Sequence, residues 1–203
     1  SFGTNNLPDC SNMCHESSGR ALEATIGIGK GSVTLEDLER SDLIFVVGQN
    51  PGTNHPRMLS TLETARRNGA RIVAVNPLPE AGLLRFRNPQ KVRGVLGRGT
   101  ELATHHLQVR VNGDLALFTL LGRRLLEDDL LDHDFIARHT DGFAAWADHV
   151  RSTDVGELTA LAGIDAAQLD EVHAVVGSAS SIIVCWAMGL TQHRNSVATI
   201  REV

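Results

Sequence analysis

Three cysteines, at positions 10, 14 and 185, are all that this chain of 203 residues contains. That is too few for a disulfide framework, so the expected setting is the reducing cytoplasm. Cys10 and Cys14 form a C-x3-C pair, but no second pair follows to complete a zinc or iron-sulfur site, and no cluster held by this chain alone is expected. Cys185 lies in the apolar run Ser181 to Trp186, where a small hydrophobe suits a strand core. No window holds eighteen consecutive apolar residues, and Ser1 to Cys10 has neither a basic nor an apolar leader region, so no membrane span and no signal peptide are expected. Positive charge is also short. Lys and Arg number 19 against 24 Asp and Glu, a net charge of -5, which argues against a general nucleic-acid binder and leaves small anionic ligands open.

Two nucleotide fingerprints are absent as well. An NAD-binding Rossmann domain needs G-x-G-x-x-G after its first strand, whereas that loop reads Gly48-Gln49-Asn50-Pro51-Gly52 here. The stretch Gly27-Ile28-Gly29-Lys30-Gly31-Ser32 lacks the glycine spacing and the preceding strand of a P-loop. There are no repeats and no low-complexity segment.

What the chain does have is a hydrophobic fraction of 42%, enough over this length for a sizeable core. Thr34-Leu35-Glu36-Asp37 has the pattern of a capping box and predicts a short helix. Asp42 to Gly48 is a continuous apolar run, as expected of a strand buried on both faces. Met58, Leu59, Leu62 and Ala65 keep helical spacing until Asn68-Gly69, and Arg71 to Val75 is a second buried strand. Strand, loop, helix and strand make a βαβ unit, whose ligands bind beyond the carboxyl ends of the strands. The loops Asn50 to His55 and Asn76 to Pro79 both belong to that edge.

From Pro79 to His106 there is no strong periodicity. Arg85, Arg87, Lys91, Arg93 and Arg98 gather positive charge there, either as a solvated loop or as a contact for pyrophosphate. Leu107 to Val111 alternates and reads as an edge strand ending at Asn112-Gly113, after which Asp114 is expected to cap a helix striped by Leu115, Phe118, Leu121 and Leu125. Leu130 to Val176 is mostly helical, with a second capping box at Asp165 to Gln168. Ser181 to Trp186 is the last strand and leads into a loop at Met188 to Gln192. The chain opens without methionine and its last residues, Ser196 to Val203, read as a helix without a stop signal, so it is expected to be a piece of a longer polypeptide.

The run Asp9-Cys10-Ser11-Asn12-Met13-Cys14-His15-Glu16 places a soft sulfur donor beside an imidazole. Read alone, the pair is either an inert thiol next to a surface histidine, or a metal ligand next to a group that moves a proton near neutral pH. Asn50 is either a turn former before proline or an amide offered to a polar heterocycle. His55 precedes Pro56 and suits a structural role, and His105 and His106, adjacent on a strand, point to opposite faces and make no metal pair.

The order and separation of these segments, continued by Ile72-Val73-Ala74-Val75-Asn76-Pro77, Asn112-Gly113-Asp114 and Met188-Gly189-Leu190-Thr191-Gln192, resemble the molybdopterin oxidoreductase family, and within it the formate-dehydrogenase-like group. The resemblance covers almost the whole chain. It implies one three-layer αβα, Rossmann-like α/β domain with a mostly parallel sheet over residues 1–203, and a cofactor of the bis-molybdopterin guanine dinucleotide type carrying molybdenum or tungsten. In that group a cysteine or selenocysteine followed by histidine ligates the metal, which places Cys14 as ligand and His15 as proton acceptor, with Glu16 or Asn12 as supporting neighbours. Asn50, Thr53, Asn76, Pro77, Gly113, Asp114, Met188 and Gln192 fall on positions that contact the dinucleotide or approach the pterin. Thr53 has a hydroxyl where relatives can have a carboxylate. Relatives often have Asp-Pro-Arg where this chain has Asn76-Pro77-Leu78, so the arginine is missing and Arg85 or Arg87 is its candidate substitute. The resemblance further implies a parent chain with remaining domains, a small-molecule substrate, an electron acceptor and a 4Fe-4S cluster outside these residues. A non-catalytic scaffold of the same fold, or a nucleotide-binding Rossmann domain, is the alternative.

Overall fold

The computed structural model describes residues 3–6 and 11–203, so Cys10 lies outside the described residues. Four strands, β1 (Leu43–Val47), β2 (Arg71–Val75), β3 (His105–Leu107) and β4 (Ile182–Trp186), form one sheet in the order β3-β2-β1-β4. All its pairings are parallel, with Leu43 opposite both Arg71 and Ile182, and Val73 opposite His105. The continuous apolar run of β1 therefore has its expected cause: the strand is central and every one of its residues is buried.

Successive side chains of the strands feed two cores, one on each face. Leu43, Phe45, Val47, Val73, Val75 and Leu107 pack against the helices Asp114–Glu127, Ala166–Gly177 and Ser196–Glu202. Ile44, Val46, Ile72 and Ala74 face the other way, against Leu38 and the Leu59, Leu62 and Ala65 stripe of the helix Pro56–Arg67. Two cores separated by a sheet are the physical content of a three-layer arrangement. Each fully buried Leu or Ile here contributes about 1.5–3 kcal/mol of transfer free energy, and this is what overrides the weak helix propensity of the short connecting segments.

Both capping boxes form. Thr34 accepts from Asp37 N while Asp37 accepts from Thr34 N, and Asp165 and Gln168 repeat the exchange. Asn68 closes the helix Pro56–Arg67, followed by Gly69 at φ 104°. Cys185 is partly buried against the second core, and burial pushes its thiol up to about 11, as suits a packing residue.

Three expectations are corrected. The third strand is His105–Leu107, not Leu107 to Val111. Its ladder ends when Asn76 N donates to Leu107 O at 3.0 Å, because β2 then enters a turn at Pro77 and has nothing further to pair. Val109 is still buried, which explains the alternation, but Arg110 N donates to Ala162 O instead of to a strand. Asp114 does not cap its helix: Gly113 is the N-cap residue, Asp114 is the first helical residue, and no side-chain cap bond forms. Met188–Thr191 is a helical turn rather than a loop.

Candidate functional site

Because the strands are parallel, the segments that leave them share one edge. Asn50 follows β1, Asn76 and Pro77 follow β2, Gly113 and Asp114 follow β3, and Met188 and Gln192 follow β4. The chain leaving β1 builds the helix Pro56–Arg67 on one face, and the chain leaving β4 builds Ser196–Glu202 on the other. The β1/β4 boundary is thus the topological switch point, where open α/β sheets form their ligand crevice beyond the carboxyl ends of the strands. Its floor is a backbone crossing in which Gly189 N donates to Gly48 O at 3.0 Å.

The N-terminal segment reaches this floor from the β4 side. A short helix Ser11–Cys14 breaks at His15, and a second helix, Glu16–Ile26, begins. Cys14 Sγ lies 3.2 Å from Met188 Sδ, Gln192 Nε2 donates to Met13 O at 3.1 Å, and Ser17 Oγ donates to Thr191 O at 3.3 Å. Four of the residues singled out in the sequence, Cys14, His15, Met188 and Gln192, are therefore brought together. A cavity of about 270 Å³ beside them is lined by Met13, Cys14, Glu16, Ser17, Arg20, Thr191 and Val197.

Two residues that sequence reasoning missed hold His15. Trp186, the last residue of β4, donates its indole N–H to Ser18 Oγ at 3.0 Å, and Ser18 Oγ lies 3.3 Å from His15 Nδ1. A hydroxyl oxygen has two lone pairs, so Ser18 can accept from both Trp186 and His15 Nδ1–H, an arrangement that leaves the lone pair of Nε2 open. The signal was present as spacing, since Ser18 stands one helical turn after His15. Glu16, the neighbour expected to support the pair, is engaged with Arg20 at 2.9 Å instead.

Asn50 is the N-cap of the turn Pro51–Asn54, where its side-chain oxygen accepts from Thr53 N at 3.2 Å. The turn-forming reading is therefore realised; the amide nitrogen has no partner among the described residues, and Thr53 is exposed. Asn76 accepts from Leu78 N at 3.2 Å and donates to Glu80 at 3.4 Å, and Pro77 O accepts from Gln108 at 3.2 Å, so this loop is held by its own polar groups. Asp114 is 5% exposed. Burial raises the pKa of its carboxyl above the ordinary value, opposed by its own backbone N–H and by the nearby His193. His193 directly follows Gln192, so the segment after β4 meets Met13 through one residue and lies near Asp114 through the next.

The basic segment divides. Lys91 is committed to Glu63 at 2.8 Å, while Arg85 and Arg87 are exposed on either side of Phe86. His105 Nδ1 contacts Thr104 Oγ1 at 2.9 Å, and burial lowers the pKa of His106. No group of three or more His, Cys, Asp or Glu side chains that could hold a metal occurs among the described residues.

A family model for molybdopterin oxidoreductase matches residues 2–203. The chain belongs to the molybdopterin oxidoreductase family. It is 55% identical over 209 residues to an uncharacterized oxidoreductase of Mycobacterium tuberculosis, covering 100% of this chain and 27% of that protein. It is 27% identical over 202 residues to formate dehydrogenase H of Escherichia coli, covering 100% of this chain and 26% of that protein. Among solved structures, acetylene hydratase from Pelobacter acetylenicus superposes with a TM-score of 0.76 at 19% identity, over 96% of this chain and 24% of that one, a likeness of fold. The chain spans about a quarter of the length of these relatives. No helix among the described residues is long and apolar enough to cross a membrane.

Proposed function

We propose that the parent protein is a formate-dehydrogenase-like enzyme that binds a bis-molybdopterin guanine dinucleotide with molybdenum or tungsten, and oxidises a small substrate such as formate by two electrons. The family takes a molybdopterin cofactor with its metal, and the residues present here fit such a group. The Asp114 carboxyl is buried at the strand-end edge with no side-chain donor among the described residues, and it suits the N–H groups of a guanine. The Gly48 and Gly189 crossing leaves the crevice floor free of side chains. Asn50 and Thr53 on one side, and Asn76, Pro77 and Gly113 on the other, would complete the contacts to the dinucleotide.

The observation that carries the reading is the approach of Cys14 to Met188 at the switch point. In this reading Cys14 supplies the protein's thiolate to the metal, with Met188 and Gln192 against the pterin. When bound, the cofactor supplies the two-electron redox chemistry that no side chain here has. Formate oxidation also releases one proton. His15, oriented by Ser18 and Trp186 with Nε2 open, would accept it and relay it to solvent, to which the ring is exposed. The electron acceptor, an iron-sulfur cluster outside these residues and a cytoplasmic setting complete the proposal.

The test is the molybdenum and tungsten content of the full-length protein, purified without oxygen from its native host. About one metal per chain is expected, with turnover lost in a Cys14→Ala variant. A metal-free protein from cells that make the cofactor would leave the scaffold as the better account.

A further inference from the structure

The positive charge between Arg85 and Arg98 is only partly absorbed by the cofactor reading, because part of this loop is folded toward the other end of the sheet. Thr104 N donates to the carbonyl of Ile72, the second residue of β2, so the loop enters the sheet at its amino-terminal side. Its neck is the antiparallel bridge between Phe86 and Thr100. Its anchor is Glu63, seven residues and about 10 Å along the helix from Pro56, which stands at the strand-end edge.

Glu63 is buried, and its two oxygens take four donors: Asn88 at 2.9 Å and Lys91 at 2.8 Å on one, Thr100 at 2.9 Å and Arg67 at 3.2 Å on the other. The carboxylate is thereby saturated. Beside it lies a cavity of about 300 Å³ that the side chains of Arg67, Lys91 and Arg98 also line. Lys91 balances Glu63. Arg67 has spent a single bond on it, and Arg98 makes no ion pair among the described residues. The cavity wall is glycine by necessity: a Cβ on Gly94 would lie 2.0 Å from Asn88 O, and one on Gly99, at φ 77°, would lie 2.7 Å from Phe86 O.

We propose that this cavity is a second ligand site, distinct from the pterin crevice, for the phosphate group of a small phosphorylated metabolite. One carboxylate and three cations leave a formal surplus of two positive charges, which a dianionic phosphate ester neutralises. Arg67 and Arg98 have guanidinium donors left for bidentate contact with phosphate oxygens. The bare glycine wall lets those oxygens approach the backbone closely.

Titration calorimetry of the full-length holoprotein with inorganic phosphate, at constant ionic strength against a chloride control, tests the site. Binding above the chloride control is expected, and an Arg67→Gln/Arg98→Gln double variant should weaken it at least tenfold while leaving the metal content unchanged. No phosphate-specific binding, or equal binding by the double variant, overturns the proposal. Loss of metal or dinucleotide from that variant overturns it too, since these residues would then serve the cofactor.

Discussion

The backbones of Gly48 and Gly189 touch. A Cβ built on Gly189 would lie 2.4 Å from Gly48 Cα, and one on Gly48, which has φ 56°, would lie 2.6 Å from Gly189 Cα. Any side chain at either position must part the ends of β1 and β4. Gly189→Ala is therefore expected to cost more than about 2 kcal/mol, read as a drop in melting temperature. If the crevice above the crossing holds the cofactor, the metal content of the full-length variant should fall as well.

If His15 takes the proton as proposed, the chain of contacts from Trp186 through Ser18 to His15 predicts a separable effect on proton handling. Ser18→Ala removes the partner that orients the imidazole, and Trp186→Phe removes the N–H that donates to that partner, without touching Cys14. Metal content should stay at the wild-type level while turnover falls about 10–100-fold, the range typical of groups that orient a ligand or base from behind. The pH profile of turnover should shift in both variants. An unshifted profile with unchanged turnover would assign the two residues to packing alone.

The strand-end edge was legible because hydrophobic patterning reveals the strands directly, whereas Cys14 and His15 were singled out by the family resemblance. Asp42 to Gly48 and Arg71 to Val75 read as buried strands from apolar continuity, and the topology then placed Asn50 and Asn76 on one edge. The contact of Trp186 with Ser18 was not legible, because it joins residues 168 apart in sequence. The extent of β3 was misread for a related reason: Val109 is buried by the core and not by a neighbouring strand, and alternation reports burial without reporting pairing. Lys91 looked like a free cation because its partner, Glu63, sits on a helix 28 residues earlier.

Asp114 predicts a conflict between stability and binding. Its folded pKa lies above the ordinary 3.8, so relative to the unfolded chain it favours the fold below that value and loses this contribution as pH rises through the folded pKa. Once ionised, the buried carboxylate is a cost to the cofactor-free protein. Asp114→Asn should thus raise the melting temperature of full-length protein made in cells without the cofactor. The gain should vanish below pH 4, and in cofactor-competent cells the same variant should carry less dinucleotide. A lower melting temperature at pH 7 would show that the carboxylate is satisfied in the fold.

Glu63 makes the opposite case. Burial alone would raise its pKa, but hydrogen bonds from Lys91, Asn88 and Thr100, with the Lys91 charge, outweigh that and hold it at about 2 against an ordinary 4.5. A depressed carboxyl contributes stability above the unfolded value and loses it as pH falls through the folded one, so this contribution is complete above pH 5 and disappears between about 4.5 and 2. Glu63→Gln leaves Lys91 and Arg67 facing a neutral amide at the root of the 86–100 loop, and should cost about 3 kcal/mol at pH 7. The loss should shrink steadily in acid, when denaturant midpoints of the variant and the parent are compared from pH 7 to pH 3. Amide exchange should locate the damage in residues 86–100, while the strand-end edge and its metal content stay intact. A variant that lost metal instead would mean that the anchor and the crevice are mechanically coupled through the helix Pro56–Arg67.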